Sequence, residues 1–81
     1  KTLLLSSVLL TAGPVNAAPL SGTNSTITTL SGANYIAVNT SYQNASILDN
    51  NGTLNNDGIL NNYSNSTLNN NDFLSNSGIL T

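Results

Sequence analysis

Leu48, Leu54, Leu60, Leu68, Leu74 and Leu80 follow one another in steps of six, six, eight, six and six residues. A shift of twenty residues lays the first three onto the last three. The same shift carries Asn51, Asn56, Gly58 and Ile59 onto Asn71, Asn76, Gly78 and Ile79, and Ser46 and Asn50 onto Ser66 and Asn70. A fixed period in this range marks a solenoid, in which one repeat cannot bury its apolar face alone and stacked repeats share a continuous core.

Composition narrows the choice of architecture and of partner. With 81 residues, four aromatics and no Cys, Met or Trp, a compact globular core would be thin. Lys1 is the only cation, and Asp49, Asp57 and Asp72 are the only acidic side chains. Nucleic-acid binding needs clustered Lys or Arg to displace phosphate counterions, so that class of partner is excluded. An ordinary disordered chain combines low hydrophobicity with charge or proline, whereas this one is 38% hydrophobic and 5% charged. Without cysteine there is no disulfide stapling, which is compatible with secretion.

From Ser46 onward each unit reads as a β-branched or aromatic residue, then Leu, a polar residue and a polar residue that is usually Asn, and a polar pair that often ends in Gly. No apolar residues recur at helical spacing, and Asn and Gly suit turns better than helices, so each unit is expected to be a short strand and a bend. Six extended residues reach about 20 Å, enough for one side of a coil. Sides of six, eight and six residues give a coil of twenty. Side chains alternate across a strand, so the single strong hydrophobe, Leu48, Leu54, Leu60, Leu68, Leu74 or Leu80, must point inward. Thr53 would then stack with Phe73, and Ile59 with Ile79. Asn50 over Asn70 and Asn56 over Asn76 are expected to form ladders, passing side-chain hydrogen bonds from coil to coil. Residues 18–45 are Ser-, Thr-, Gly- and Asn-rich and match the shift poorly: Asn34 would land on Leu54 and Ile36 on Asn56. They are expected to form an irregular N-terminal cap or first coil, ahead of solenoid repeats over 46–81.

The front of the chain has a different character. Lys1 precedes the apolar run Leu3–Leu10, then the breaker Gly13-Pro14 and the small-residue site Val15-Asn16-Ala17. Residues 1–17 therefore read as a Sec-type signal peptide. The run is about half of the roughly 20 residues needed to span a bilayer, so no membrane-spanning segment is expected in the mature chain. Because the pattern stops in mid-unit at Thr81, the chain is expected to be the N-terminal piece of a longer protein.

The strings Asn51-Gly-Thr-Leu-Asn-Asn56 and Gly58-Ile-Leu-Asn-Asn62, downstream of such a leader, resemble the repeats of bacterial secreted β-helix proteins. Autotransporter passengers and filamentous-haemagglutinin-like adhesins are the nearest groups. The resemblance covers residues 46–81. It implies an all-β, right-handed parallel β-helix that is secreted or displayed at the cell surface for adhesion. Host-surface or extracellular-matrix glycans or proteins would be its partners. The sequence departs from those groups in having no Asn-Pro-Asn secretion motif and no membrane barrel. A left-handed hexapeptide β-helix is the structural alternative. Its 18-residue coil would place Ser66, not a leucine, over Leu48, and the step from Leu60 to Leu68 becomes an insertion.

No catalytic, cofactor or metal site is expected. Three aspartates are the only side chains fit for acid–base work near neutral pH. Asp57 lies in the turn signature Asn56-Asp57-Gly58 and would stack on Ser77, while Asp57 and Asp72 are not one coil apart, so no carboxylate pair suited to glycoside hydrolysis arises. Asp49-Asn-Asn-Gly52 has one carboxylate where calcium needs several oxygens. Asn24, Asn39, Asn44, Asn51, Asn62 and Asn65 fit the glycosylation triplet, which sixteen Asn among many Ser and Thr generate by chance. Tyr35, Tyr42 and Tyr63 form no column and read as isolated surface or cap residues. The expected function is a non-enzymatic structural or adhesive solenoid segment. The alternatives are the front of a polysaccharide-acting β-helix enzyme whose active residues lie beyond Thr81, and an unfolded Asn-rich tract.

Overall fold

The computed structural model describes residues 18–81, so the export signal read over 1–17 lies outside the described residues. The chain is a parallel β-solenoid, and the described residues contain no helix. In chain order the strands are β1 Ala18–Pro19, β2 Gly22–Asn24, β3 Thr28–Leu30, β4 Ala33–Ile36, β5 Ser41–Asn44, β6 Ile47–Asn50, β7 Thr53–Asn56, β8 Ile59–Asn62, β9 Thr67–Asn70, β10 Phe73–Asn76 and β11 Ile79–Leu80. Every third strand falls on the same wall: β1-β4-β7-β10, β2-β5-β8-β11 and β3-β6-β9. Strands β1–β3, β4–β6 and β7–β9 are three successive turns, and β10–β11 begin a fourth.

The sequence register is the structural register. Leu54 pairs with Leu74, Leu60 with Leu80 and Leu48 with Leu68. Thr53 meets Phe73 and Ile59 meets Ile79, as the twenty-residue shift requires. Within each four-residue strand from β4 to β7 the second and fourth residues are buried and the other two face out, the two-residue alternation of a pleated strand. Leu48, Leu54 and Leu60 are fully buried, and Leu68 and Leu74 pack against them from the turn above. Leu80, in β11, is exposed.

The unit that generates this stack is a hexapeptide, four strand residues and a two-residue bend. From Ser41 to Asn62 the pattern runs without interruption through β5, β6, β7 and β8. Two bends are longer by a pair, Ala37–Thr40 between β4 and β5 and Tyr63–Ser66 between β8 and β9. In both, the amide of the fourth residue donates to the carbonyl of the first, Thr40 to Ala37 and Ser66 to Tyr63, each at 3.1 Å. In both, the third residue is Asn with positive φ, 64° at Asn39 and 69° at Asn65, a conformation Asn accepts more readily than other non-glycine residues. A column whose neighbouring strands are separated by one such bend steps by twenty residues. The column that crosses neither places Asn44 against Asn62 at a separation of 18. A hexapeptide unit therefore underlies the coil of about twenty residues, with one longer bend supplying the extra pair.

Residues 18–45 are wound into the stack as well. Their identities ignore the shift, yet Gly22 pairs with Tyr42, Thr28 with Leu48, Asn34 with Leu54 and Ile36 with Asn56. Two strands depart from it, β1 pairing Ala18 with Asn34 and β5 pairing Ser41 with Ile59, both over shorter intervals. Backbone ladders need no particular side chain, so the winding continues where the residue pattern lapses.

Candidate functional site

The most specific side-chain chemistry lies at the end of each strand. Asn50 and Asn56, each the last residue of its strand, point into the coil and are fully buried. Asn50 Nδ2 donates to Asn70 Oδ1 at 2.8 Å and to the Phe73 carbonyl at 2.7 Å. Its Oδ1 accepts the Gly52 amide at 3.2 Å. Asn56 repeats the arrangement, donating to Asn76 Oδ1 at 2.6 Å and to the Ile79 carbonyl at 2.7 Å, and accepting the Gly58 amide at 3.1 Å. Each side chain thus fills both donor positions, fastens its own bend and reaches the next coil. No described buried side-chain polar atom is left without a partner, which removes the main cost of placing amides beside leucine.

A third ladder, Asn24–Asn44–Asn62, escaped the sequence reading, which treated those residues only as glycosylation triplets. Asn24 Nδ2 donates to Asn44 Oδ1 at 2.9 Å, and Asn44 Nδ2 to Asn62 Oδ1 at 2.8 Å. Asn44 also donates to the Thr67 carbonyl and accepts the Ser46 amide. The available signal was Asn44, Asn50, Asn56 and Asn62 at intervals of six, each two residues after an inward Tyr or Leu. Looking only for a shift of twenty hides it, because Asn44 and Asn62 stack across 18.

Gly52 and Gly58 complete the bends. A Cβ at Gly52 would collide with the Gly32 backbone, and one at Gly58 with the carbonyls of Ala37 and Thr40. Glycine is required there for the close approach of one turn to the next.

Outside, the third residue of each strand forms its own rows. Asn69 donates to Asp49 at 2.7 Å, Ser75 to Asn55 at 2.6 Å and Thr81, just after β11, to Asn61 at 2.6 Å. At the bend, Asn71 donates to Asn51 at 2.8 Å. Ile59, Phe73 and Ile79, first residues of their strands, are exposed large hydrophobics. Of the aspartates, Asp49 is engaged by Asn69, while Asp57 and Asp72 lie exposed on bends. Among the described residues no group of three or more His, Cys, Asp or Glu could hold a metal. Tyr42, read from the sequence as surface or cap, is instead buried in the core directly below its strand partner Leu60. Burial pushes its phenol pKa above the ordinary value of 10.0.

The glycosylation triplets divide by geometry: Asn24 and Asn44 are buried in the inner ladder, whereas Asn39, Asn51 and Asn65 are exposed. No helix among the described residues is long and apolar enough to cross a membrane. No protein-family model matches the chain, and neither curated proteins nor solved structures give a match.

Proposed function

We propose that this chain is a non-enzymatic structural segment of a secreted or cell-surface protein, a stretch of solenoid stalk in an adhesin of the bacterial autotransporter or haemagglutinin-like kind. The observation that carries the reading is the double set of rows: Asn ladders inside the wall and amide and hydroxyl rows outside it. Both run along the solenoid axis and tie the second turn to the third and the third to the fourth by side chain as well as backbone. Such a wall resists bending and shear without charge or disulfides. The described residues measure 34 × 25 × 23 Å, and each additional turn would lengthen the axis by about 4.8 Å. Length is therefore added in proportion to repeats, which suits a spacer. The outward amides and hydroxyls supply hydrogen bonds to a glycan or protein surface, and the scarcity of charge favours neutral partners.

The test uses the full-length protein in its source organism. Surface labelling and protease shaving of intact cells should reach this segment, and cells carrying the intact protein should bind glycan- or matrix-coated surfaces. A Leu54→Asp variant should lose that binding together with its β-sheet circular dichroism. Retention of the segment inside the cell would overturn the reading, as would polysaccharide cleavage by the full-length protein, the outcome expected of a β-helix enzyme.

A further inference from the structure

Asn51-Gly52 is the only Asn-Gly pair in the chain and Asp57-Gly58 the only Asp-Gly pair. They occupy equivalent, successive bends, between β6 and β7 and between β7 and β8. Both pairs suit succinimide formation, because glycine leaves the backbone nitrogen unshielded. At Asn51 the Gly52 nitrogen would attack Cγ, forming the N–Cγ bond as the Cγ–Nδ2 bond breaks, and ammonia would leave with the amide proton. Water then opens the ring at either carbonyl, giving Asp or its β-linked isomer. At Asp57 the same attack by the Gly58 nitrogen expels water, and hydrolysis returns Asp or the isomer.

We propose that these are two latent modification sites, held shut by the inner side chains of Asn50 and Asn56. The attacking nitrogen must lose its proton. In the fold, the Gly52 amide donates to Asn50 Oδ1 and the Gly58 amide to Asn56 Oδ1, and hydrogen bonding of the protonated form disfavours its loss. The flanking peptides are pinned as well. Asn51 and Thr53 amides donate to the Leu30 and Gly32 carbonyls at 2.8 Å, and those of Asp57 and Ile59 to Ile36 and Thr40 at 2.8 and 2.9 Å. Ring closure would have to rotate a bend fixed on both sides and pressed against the turn below. Asn71 Nδ2 further ties the Asn51 side chain along the axis. The ladder residue thus has a second task besides stacking, protecting the bond one residue ahead of it. A β-linked residue adds a backbone atom to a two-residue bend, which shifts the hexapeptide frame, so a chain that opens long enough to react does not restack.

The full chain should be incubated in warm, mildly alkaline buffer with and without urea. Deamidation at Asn51 is read by mass spectrometry, and β-linked residues at both sites by isoaspartyl methylation. The folded chain should react far more slowly than the urea-unfolded one at both pairs. Asn50→Leu removes the acceptor but matches Leu30 immediately below it. While keeping its β-sheet dichroism, it should speed Asn51 about fivefold, the kinetic equivalent of one neutral hydrogen bond, and leave Asp57 unchanged. Asn56→Leu should do the reverse. Equal rates in folded and unfolded chains would overturn the proposal, and so would variants that speed both sites alike. Amide exchange on the unsubstituted protein gives an independent reading: Gly52 and Gly58 amides should be protected, and unprotected exchange at either would also overturn it.

Discussion

Strands β3 and β4 and the strands stacked on them, β6 and β7, share one register but reverse its inward residues. In β6 and β7 the inward pair is Leu then Asn: Leu48 with Asn50, Leu54 with Asn56. Below them, Thr28 and Asn34 take the leucine positions, and Leu30 and Ile36 take the asparagine positions. Both arrangements put one apolar and one polar group inside per side. The upper one extends ladders, while the lower one ends them, since Leu30 and Ile36 offer Asn50 and Asn56 nothing to bond. Asn34, lacking a ladder, turns its amide to the Ser31 carbonyl at 3.2 Å. Winding is thus set by strand and bend length, and the inward residues decide which turns are tied to which.

The comparison breaks most sharply at Leu54. Asn34 shows that the column below accepts a polar side chain that can donate to nearby carbonyls. Aspartate cannot donate, so Leu54→Asp buries an uncompensated charge as well as losing core packing. It should cost more than about 4 kcal/mol, abolishing the β-sheet signal and cooperative unfolding by circular dichroism. Leu54→Asn should be the milder variant.

Asn56 separates ladder from filler. Asn56→Ala leaves a cavity and orphans the Gly58 amide and the Ile79 carbonyl, a loss of about 2–4 kcal/mol in urea unfolding. Asn56→Leu, which continues the Ile36 column, should lose less, because packing offsets part of the missing hydrogen bonds. Equal costs would mean that the ladder acts only by filling space.

Gly58→Ala tests the close approach between turns. The added Cβ meets the carbonyls of Ala37 and Thr40 in the longer bend, and the expected destabilisation is about 1–3 kcal/mol. Gly22, with no atom near its missing Cβ, has a φ of 84°, so Gly22→Ala reports backbone strain alone and should cost about 1 kcal/mol.

Two smaller effects complete the series. The Tyr42 phenol has a raised pKa in the fold because burial disfavours its anion. Above the unfolded value of 10.0 the unfolded chain has lost that proton while the folded chain keeps it, so stability should fall as pH rises through this range. Tyr42→Phe should remove that alkaline slope from urea midpoints measured against pH. Asn55→Ala, on the outer wall, gives up one exposed bond from Ser75 and should change stability by less than about 0.5 kcal/mol.

Much of this was legible in the residues. Leu48, Leu54 and Leu60 with their partners at 68, 74 and 80 gave the stacking interval, and Asn50–Asn70 and Asn56–Asn76 gave two ladders. What escaped had one cause, reading identity as register. Asn34 against Leu54 looked like a mismatch, and Asn44 and Asn62 looked unrelated because no lengthened bend separates β5 from β8. Tyr42 passed for a surface residue for the same reason, since its partner Leu60 lies across that shorter interval.

By itself the sequence determined the strand-and-bend unit, because alternation along a strand leaves one leucine per side no place but the interior. It also determined that turns must stack, because a single turn cannot cover that interior. The longer step from Leu60 to Leu68 showed one extra bend pair; only the tertiary structure decided that another sits at Ala37–Thr40, and hence which residues meet across 18 positions and which across twenty. It alone decided that a third asparagine ladder, Asn24–Asn44–Asn62, joins the other two, and that those two end below at Leu30 and Ile36. Those outcomes depend on summed contour length around the coil, a property of the whole turn that no single hexapeptide contains.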